Sequence, residues 1–419
     1  MSLEQFSNGS LVAALLLYAV SFFIYTIAVV GRRWSNRDAK AHERKWSRAA
    51  FVLAISGLVL HLTFFFTRWI YAGHIPTSNM FEFMTFLAMM ITIAFLILYA
   101  LYRWAVLGMF TMPVIVLILA YAAVFPWDAQ PLVPSLQHWM LRVHVTTAAA
   151  GEAFFAIGFA AGLIYLLRTA DYASRSKPSV REQRGVEFTL FVILVTLGFV
   201  LTSFGFRAAG YEASFERKEI IEEQGKQTET AVVEEYTMPP IFAPHDSEVV
   251  HMDLFLGMDE PLFETPGWMQ GVNAGRKLNT VVWSLLSGAV LYILLLLVFR
   301  KPLGSVIQPV LRDLDPDDLD EISYRSIAIG FPIYTLGALV FAMIWAKIAW
   351  GRFWGWDPKE VWALITWLFY SIYLHLRLSR GYIGKSSAWL AVLGFIIVMF
   401  TLVGVNLLIS GMHSYAGVS

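Results

Sequence analysis

The sequence predicts an all-α fold: a polytopic transmembrane helical protein of about ten spans with an external loop insertion. Two observations lead there. Of 419 residues, 58% are hydrophobic and only 15% charged, whereas soluble domains carry about 25% charged residues. The apolar residues also form long blocks, such as 11–30 and 388–409, each matching the roughly 20 apolar residues that cross a hydrocarbon core.

By that length criterion the spans fall at 10–30, 50–72, 81–102, 105–124, 145–168, 187–209, 280–300, 326–346, 361–380 and 387–410. The first ten residues lack a basic segment and the first block has the length of a true span, so no cleavable signal peptide is expected. Lys and Arg in the short loops set the orientation. The first loop carries Arg32, Arg33, Arg37, Lys40, Arg44, Lys45 and Arg48, which predicts a cytoplasmic loop. By alternation the basic segments 168–184, 300–325 and 377–385 share that side, and both termini are extracytoplasmic.

The stretch 208–279 is rich in Glu and interrupted by Pro239-Pro240, too polar to span. It predicts an external acidic loop or small irregular subdomain with a solvated surface. The chain therefore divides into N-terminal helices (1–209), the insertion (210–279) and C-terminal helices (280–419). Formal net charge is zero, which argues neither for nor against nucleic acid, and none is expected as a partner. Cysteine is absent. That excludes disulfides, thiolate metal sites and a thiol relay within the chain, so any thiol chemistry uses a partner's sulfur.

Residues 345–367, WAKIAWGRFWGWDPKEVWALITW, are the most unusual segment. An interfacial aromatic belt accounts for one or two Trp per helix end. Here Trp350, Phe353, Trp354 and Trp356, separated by Gly351 and Gly355, predict a flat aromatic surface suited to stacking a large planar apolar ligand. Asp357, Pro358 and Glu360 have the spacing of N-cap, N1 and N3, so the two carboxylates read as helix caps rather than as acid–base catalysts. Arg352 and Lys359 are the cations placed to pair with carboxylates of an anionic ligand. Solvated interfacial charge is the alternative for Lys359.

Topology sorts the histidines. His144 stands at the outer start of one span and His413 just beyond the outer end of the last, so both flank the aromatic segment on one membrane face. Two neutral imidazoles on opposite sides of a macrocycle are a standard axial arrangement for haem iron. His375 lies about 15 residues into its span, toward the inner half of the bilayer, on one face with Trp367 and Ser371. An ionisable group at that depth reads as functional, with an interhelical hydrogen bond as the structural alternative. His61 is a weaker intramembrane candidate, and Glu152, two turns after His144, either orients that imidazole or satisfies a polar neighbour. Asn79 and Glu82 read as a helix N-cap and its N3 partner.

In RWIYAGHIPTSNMFEFMTFLA, LRVHVTTAAAGEAFFAIGFAAG, the run from SYRSIAIGF to YLHLR, and GVNLLISGMHSY, the chain resembles the CcsA (ResC) family, the membrane subunit of the System II cytochrome c synthase. WGRFWGWDPKEVWALITW is similar to the WWD domain of haem-handling proteins, in its CcsA version more than in those of the System I proteins CcmC and CcmF. The resemblance implies that His144 and His413 ligate the iron of haem b outside, that His375 is the intramembrane histidine, and that Trp350, Trp354, Trp356 and Asp357 are the WWD core. It implies haem transport to the outer face of a bacterial inner (plasma) membrane, the thylakoid being the alternative. There the haem lyase would attach it to an apocytochrome c through a Cys-x-x-Cys-His segment. It further implies a separate CcsB (ResB)-type partner. Two other readings stay open: a System I haem-delivery protein, and a cofactor-free transporter using His375 and Glu152 as a polar pathway.

Overall fold

The computed structural model describes residues 2–31, 38–129, 137–223, 226–269 and 274–405; side chains are described for these except 218–231. The chain is an all-α polytopic membrane protein: among the described residues, ten helices are long and apolar enough to span a bilayer. In chain order the helices are α1 (Leu3–Val30), α2 (Ala39–Ala72), α3 (Met80–Tyr102), α4 (Ala105–Ala122), α5 (Trp139–Thr169), α6 (Lys177–Ala208) and α7 (Ala274–Phe299). There follow a short α8 (Leu303–Ile307), α9 (Pro316–Tyr334), α10 (Ala342–Trp350), α11 (Pro358–Arg380) and α12 (Lys385–Met399). A π-helical segment, Thr335–Phe341, joins α9 to α10 in one span, and a second, Phe400–Gly404, extends α12. The helices overrun the apolar blocks: α5 begins at Trp139 rather than 145, and α6 at Lys177 rather than 187. Polar residues at a helix end continue the backbone ladder into the interface at no burial cost.

The chain forms two compact units. Of the described residues, one comprises those up to 187 and from 302 on, the other those between 188 and 301. In the first, α5 is the axis: 83% of its apolar window is buried, and it packs on α3, α4, α9 and α12. Its small residues, Ala148 through Gly151 with Gly158, Ala160, Ala161 and Gly162, permit the close helix approach that drives packing in lipid.

The second unit corrects the expectation of an irregular insertion. After Ala208 the chain builds an antiparallel sheet in the order β2-β1-β4, from β1 (Ala213–Glu223), β2 (Lys226–Tyr236) and β4 (Ser247–Met252), and a short parallel pair, β3 (Phe242–Ala243) with β5 (Phe263–Glu264). Tyr211, Ala213 and Phe215 are buried in alternation and pack with Tyr236. That period of two is the strand signature, carried by too few residues to stand out in a Glu-rich stretch. Asn279 of α7 pins the subdomain: its Oδ1 accepts from the Ile241 and Phe242 amides, and its Nδ2 donates to the Phe242 carbonyl at 2.8 Å.

In the first unit, the turn between α2 and α3 is held by a buried ion pair. Arg68 Nε donates to Glu82 Oε1 at 2.8 Å, with both side chains 0% exposed. Glu82 Oε2 accepts from the Ser78 amide and hydroxyl, and Arg68 donates to the Tyr71 hydroxyl. The expected Asn79 cap is present, its Oδ1 accepting from the Glu82 amide at 2.8 Å. Breaking such a pair from one side leaves an uncompensated buried charge, at a cost of about 3–5 kcal/mol. Glu82→Ala is therefore expected to lower thermal stability in detergent sharply. The double substitution Arg68→Met, Glu82→Leu is expected to recover part of that loss, as read by unfolding midpoints.

Candidate functional site

The site forms where α5 meets the π-helical segment. In an i→i+5 turn the Ala342 amide donates to the Gly337 carbonyl, and the same carbonyl accepts from His144 Nδ1 at 2.9 Å. A carbonyl only accepts, so Nδ1 carries the proton and the Nε2 lone pair is the basic position of the ring. Gly337 makes this possible, because a Cβ there would overlap the Ala148 amide nitrogen. His144 also lies parallel to Trp345, with centroids 6.1 Å apart and planes at 11°. Trp345 is buried with Met140. The imidazole is thus fixed in tautomer by one neighbour and in tilt by another.

His144 lines a half-open cavity of about 210 Å³. Its wall is mostly apolar, from the α2–α3 turn (Ile75, Met80), α5 (Leu141, Val145, Ala148), the π segment and α10 (Ala338, Met343, Trp345). Polar residues join the lining from the α2–α3 turn (Thr77, Ser78, Asn79), as Glu152, Tyr334 and Thr401, and as Lys359 and Glu360 in the first turn of α11. Phe353 and Trp354 close the wall from the loop between α10 and α11. Trp354 Nε1 is buried without a hydrogen-bond partner among the described residues, a donor that an acceptor on a ligand would satisfy.

The α10–α11 loop is built as a rigid arm. Gly351 ends α10 in the left-handed region, φ +73, where only glycine is free of strain. Lys347 Nζ donates to the Gly351 carbonyl and lies over the Phe353 ring. Asp357 and Glu360 form the expected capping box at the start of α11, and Glu360 Oε2 also accepts from the Gly355 amide at 2.6 Å. Between these anchors Trp356 is held at φ +59 and is 71% exposed. A bulky side chain in that conformation is strained and persists only because its flanks are fixed.

The tryptophans do not form the flat surface expected from the sequence. Trp350 turns back onto Trp345 edge-on, at 69° and 4.6 Å, and Trp354 and Trp356 stand at 84° to each other. Edge-to-face pairs match the positive rim of one ring to the negative face of the next, which coplanar rings cannot do. Of the predicted site residues, His144 and Trp354 line the cavity. Trp350, Trp356, Asp357 and Arg352 support the loop around it. The Arg352 guanidinium lies against Gly355, where a Cβ would meet it.

His375 is elsewhere. It is an exposed residue on α11, seventeen positions past Pro358, and its Nε2 lies 3.3 Å from the Ser379 hydroxyl on its own helix. His61 is buried, its Nδ1 3.4 Å from the Tyr18 hydroxyl. Glu152 does not hold the His144 Nδ1, which is taken by Gly337; it lines the cavity instead. His413 lies outside the described residues. Sequence reasoning missed Gly337, Trp345 as the stacking partner, and Tyr334. A glycine inside a span was the one visible sign of the first.

The description "cytochrome C assembly protein" belongs to a family that matches residues 77–208 and 280–413. Those two stretches contain the His144 turn, the π segment, the tryptophan loop and α11. A protein of Trichormus variabilis named cytochrome c biogenesis protein CcsA is 32% identical over 375 residues, covering 87% of this chain and 86% of that protein. The chain belongs to the CcsA family. A CcsA of Synechocystis is 29% identical over 425 residues, 99% of this chain and 98% of that protein. A CcsA of the alga Chlamydomonas reinhardtii is 47% identical over 132 residues, 32% of this chain and 36% of that protein. The sheet of the second unit falls between the two stretches that the CcsA-containing family matches.

The Gly337 contact gives a direct test of this geometry. Gly337→Ala is expected to force α5 and the π segment apart and to destabilise the protein by about 1–3 kcal/mol, the usual cost of overpacking. Gly205→Ala, where an added Cβ meets nothing within 4 Å, is expected to leave the unfolding midpoint in detergent unchanged.

Proposed function

We propose that this chain is the haem-binding membrane subunit of a cytochrome c synthase, with haem b as the substrate it holds and transfers. The observation that carries the reading is the His144 imidazole, its Nδ1–H committed to the Gly337 carbonyl and its ring on the wall of an apolar cavity beside Trp354. Metal-ligating histidines are oriented in this way, through a hydrogen bond from the other ring nitrogen. The relatives named cytochrome c biogenesis protein CcsA support the same pathway.

The fit is that of a seat rather than an enclosure. At about 210 Å³ the cavity is smaller than the roughly 300–1,000 Å³ that encloses a drug-sized ligand. It takes part of a macrocycle and leaves the rest over the exposed rings of Phe353 and Trp356. A substrate that must be reached by another protein's thiols needs such exposure. Haem supplies the vinyl carbons to which the thiols of a client Cys-x-x-Cys-His segment add. The chain contributes position: His144 and His413 would hold the iron, Trp354 would offer its unpaired Nε1 donor, and Lys359 would answer anionic carboxylates. His375, on the outer surface of α11, is left for haem arriving between this chain and a CcsB-type subunit. In this reading the cavity faces the outer side of a bacterial plasma membrane, with both termini on that side, as the basic loops require.

Two measurements test it. Protein purified from haem-replete cells is expected to show a Soret band. His144→Ala is expected to weaken haem binding by at least the roughly 10- to 100-fold that the loss of an outer-shell partner alone costs. Co-expression with a CcsB-type subunit and a c-type apocytochrome should give covalent haem attachment that this substitution abolishes. A colourless protein, or full attachment with alanine at 144, would overturn the proposal.

A further inference from the structure

The cavity carries an acid that haem ligation does not use. Glu152 is 5% exposed, lines the cavity, and its Oε2 has no hydrogen-bond partner among the described residues. An unpaired polar atom buried at membrane depth is costly and marks function by default. The turn of α5 that bears it is wrapped by two phenols. Gly151 brings the α5 backbone against Tyr334, and Phe155, one turn on, stacks on the Tyr370 ring at 3.7 Å and packs against Tyr334 at 5.4 Å.

From there a file of buried hydroxyls runs along α11. The buried residues of α11 are Thr366, Tyr370 and Tyr373, which with Arg377 stand at i, i+4, i+7 and i+11 on one helical face. Leu368, Ile372 and Leu378 of the same helix are exposed, and none of its large aliphatic residues is fully buried. The facing helices answer with polar groups of their own. Thr366 Oγ1 lies 3.2 Å from Thr401 Oγ1, and the Tyr373 hydroxyl 3.0 Å from Ser387 Oγ. Ser323 and Ser326 of α9 are buried, and Arg377 donates to Asp320. From Glu360 at the cavity to Arg377 the file covers seventeen residues of helix, about 26 Å. Tyr370 is its telling member. Its hydroxyl is buried without a partner among the described residues, so phenylalanine would keep every ring contact and remove that cost.

We propose that Glu152 and this hydroxyl file form a proton path between the cavity and the Asp320–Arg377 pair at the far end of α11. Glu152 Oε2 and the Tyr370 hydroxyl each need a partner that no described residue supplies, and bridging water satisfies such groups. In each transfer one proton enters at the Asp320 end, each hydroxyl accepts one proton and donates another, and one proton leaves Glu152 into the cavity. Every residue ends as it began. The inference goes beyond the haem reading and does not rest on it.

The test uses haem-free protein in vesicles that enclose a pH-sensitive dye, with a potassium diffusion potential imposed. Proton flux is expected to exceed that of protein-free vesicles. It is expected to fall by about tenfold or more, in the range of a lost proton-transfer group, in Glu152→Gln and in Tyr370→Phe. Both are near-isosteric, and Tyr370→Phe removes a single oxygen, so an unfolding midpoint that is unchanged or raised identifies the loss as one of conduction. If the file is only interhelical glue, the midpoint falls and the flux per folded protein stays the same. Flux no greater than that of empty vesicles, or flux that either substitution leaves unaltered, overturns the proposal.

Discussion

The contact between α5 and the π-helical segment at Gly337 sets the rest of the site. Because residue 337 has no side chain, two backbones approach within reach of a side chain-to-carbonyl hydrogen bond, and His144 takes it. The widened turn keeps that carbonyl bonded within its own helix while it accepts the imidazole. π-bulges recur at functional sites for this reason: they rotate one helical face without breaking the span. Here the rotation turns Ala338 and Trp345 toward the same cavity as His144. The tautomer, the stacking plane and the cavity wall thus come from one small residue.

Much of the membrane architecture was legible in the sequence, because span length and apolar composition are local quantities. The ten spans, the Asp357–Glu360 cap and the Asn79 cap each depend on a few adjacent residues. The strands after Ala208 were not legible, since Tyr211, Ala213 and Phe215 give only three alternating positions inside a Glu-rich stretch. Glu82 was read only as a local cap partner; its ion pair with Arg68 joins two helices, and no spacing rule announces it.

The aromatic loop divides in the same way. That a Trp-rich segment would border the site was evident from composition, but how the rings would stand was not. Trp350 follows Trp345, and Trp354 meets Trp356, because ring quadrupoles favour edges against faces. His144 was identifiable by its place at a span end, but the atom that orients it lies 193 residues away. The Arg352 guanidinium lies against Gly355, a contact across three residues that no spacing rule announces.

The Arg68–Glu82 pair has a consequence for how the cavity responds to its surroundings. Surface ion pairs loosen as salt rises, because mobile ions screen them over about 10 Å at 0.1 M. This pair admits no solvent, and its turn supplies Ile75 and Met80 to the cavity wall. That wall should therefore keep its shape from dilute buffer to strong brine. Any ionic-strength dependence in what the cavity takes up then reports on the arriving molecule and on Lys359, not on the wall.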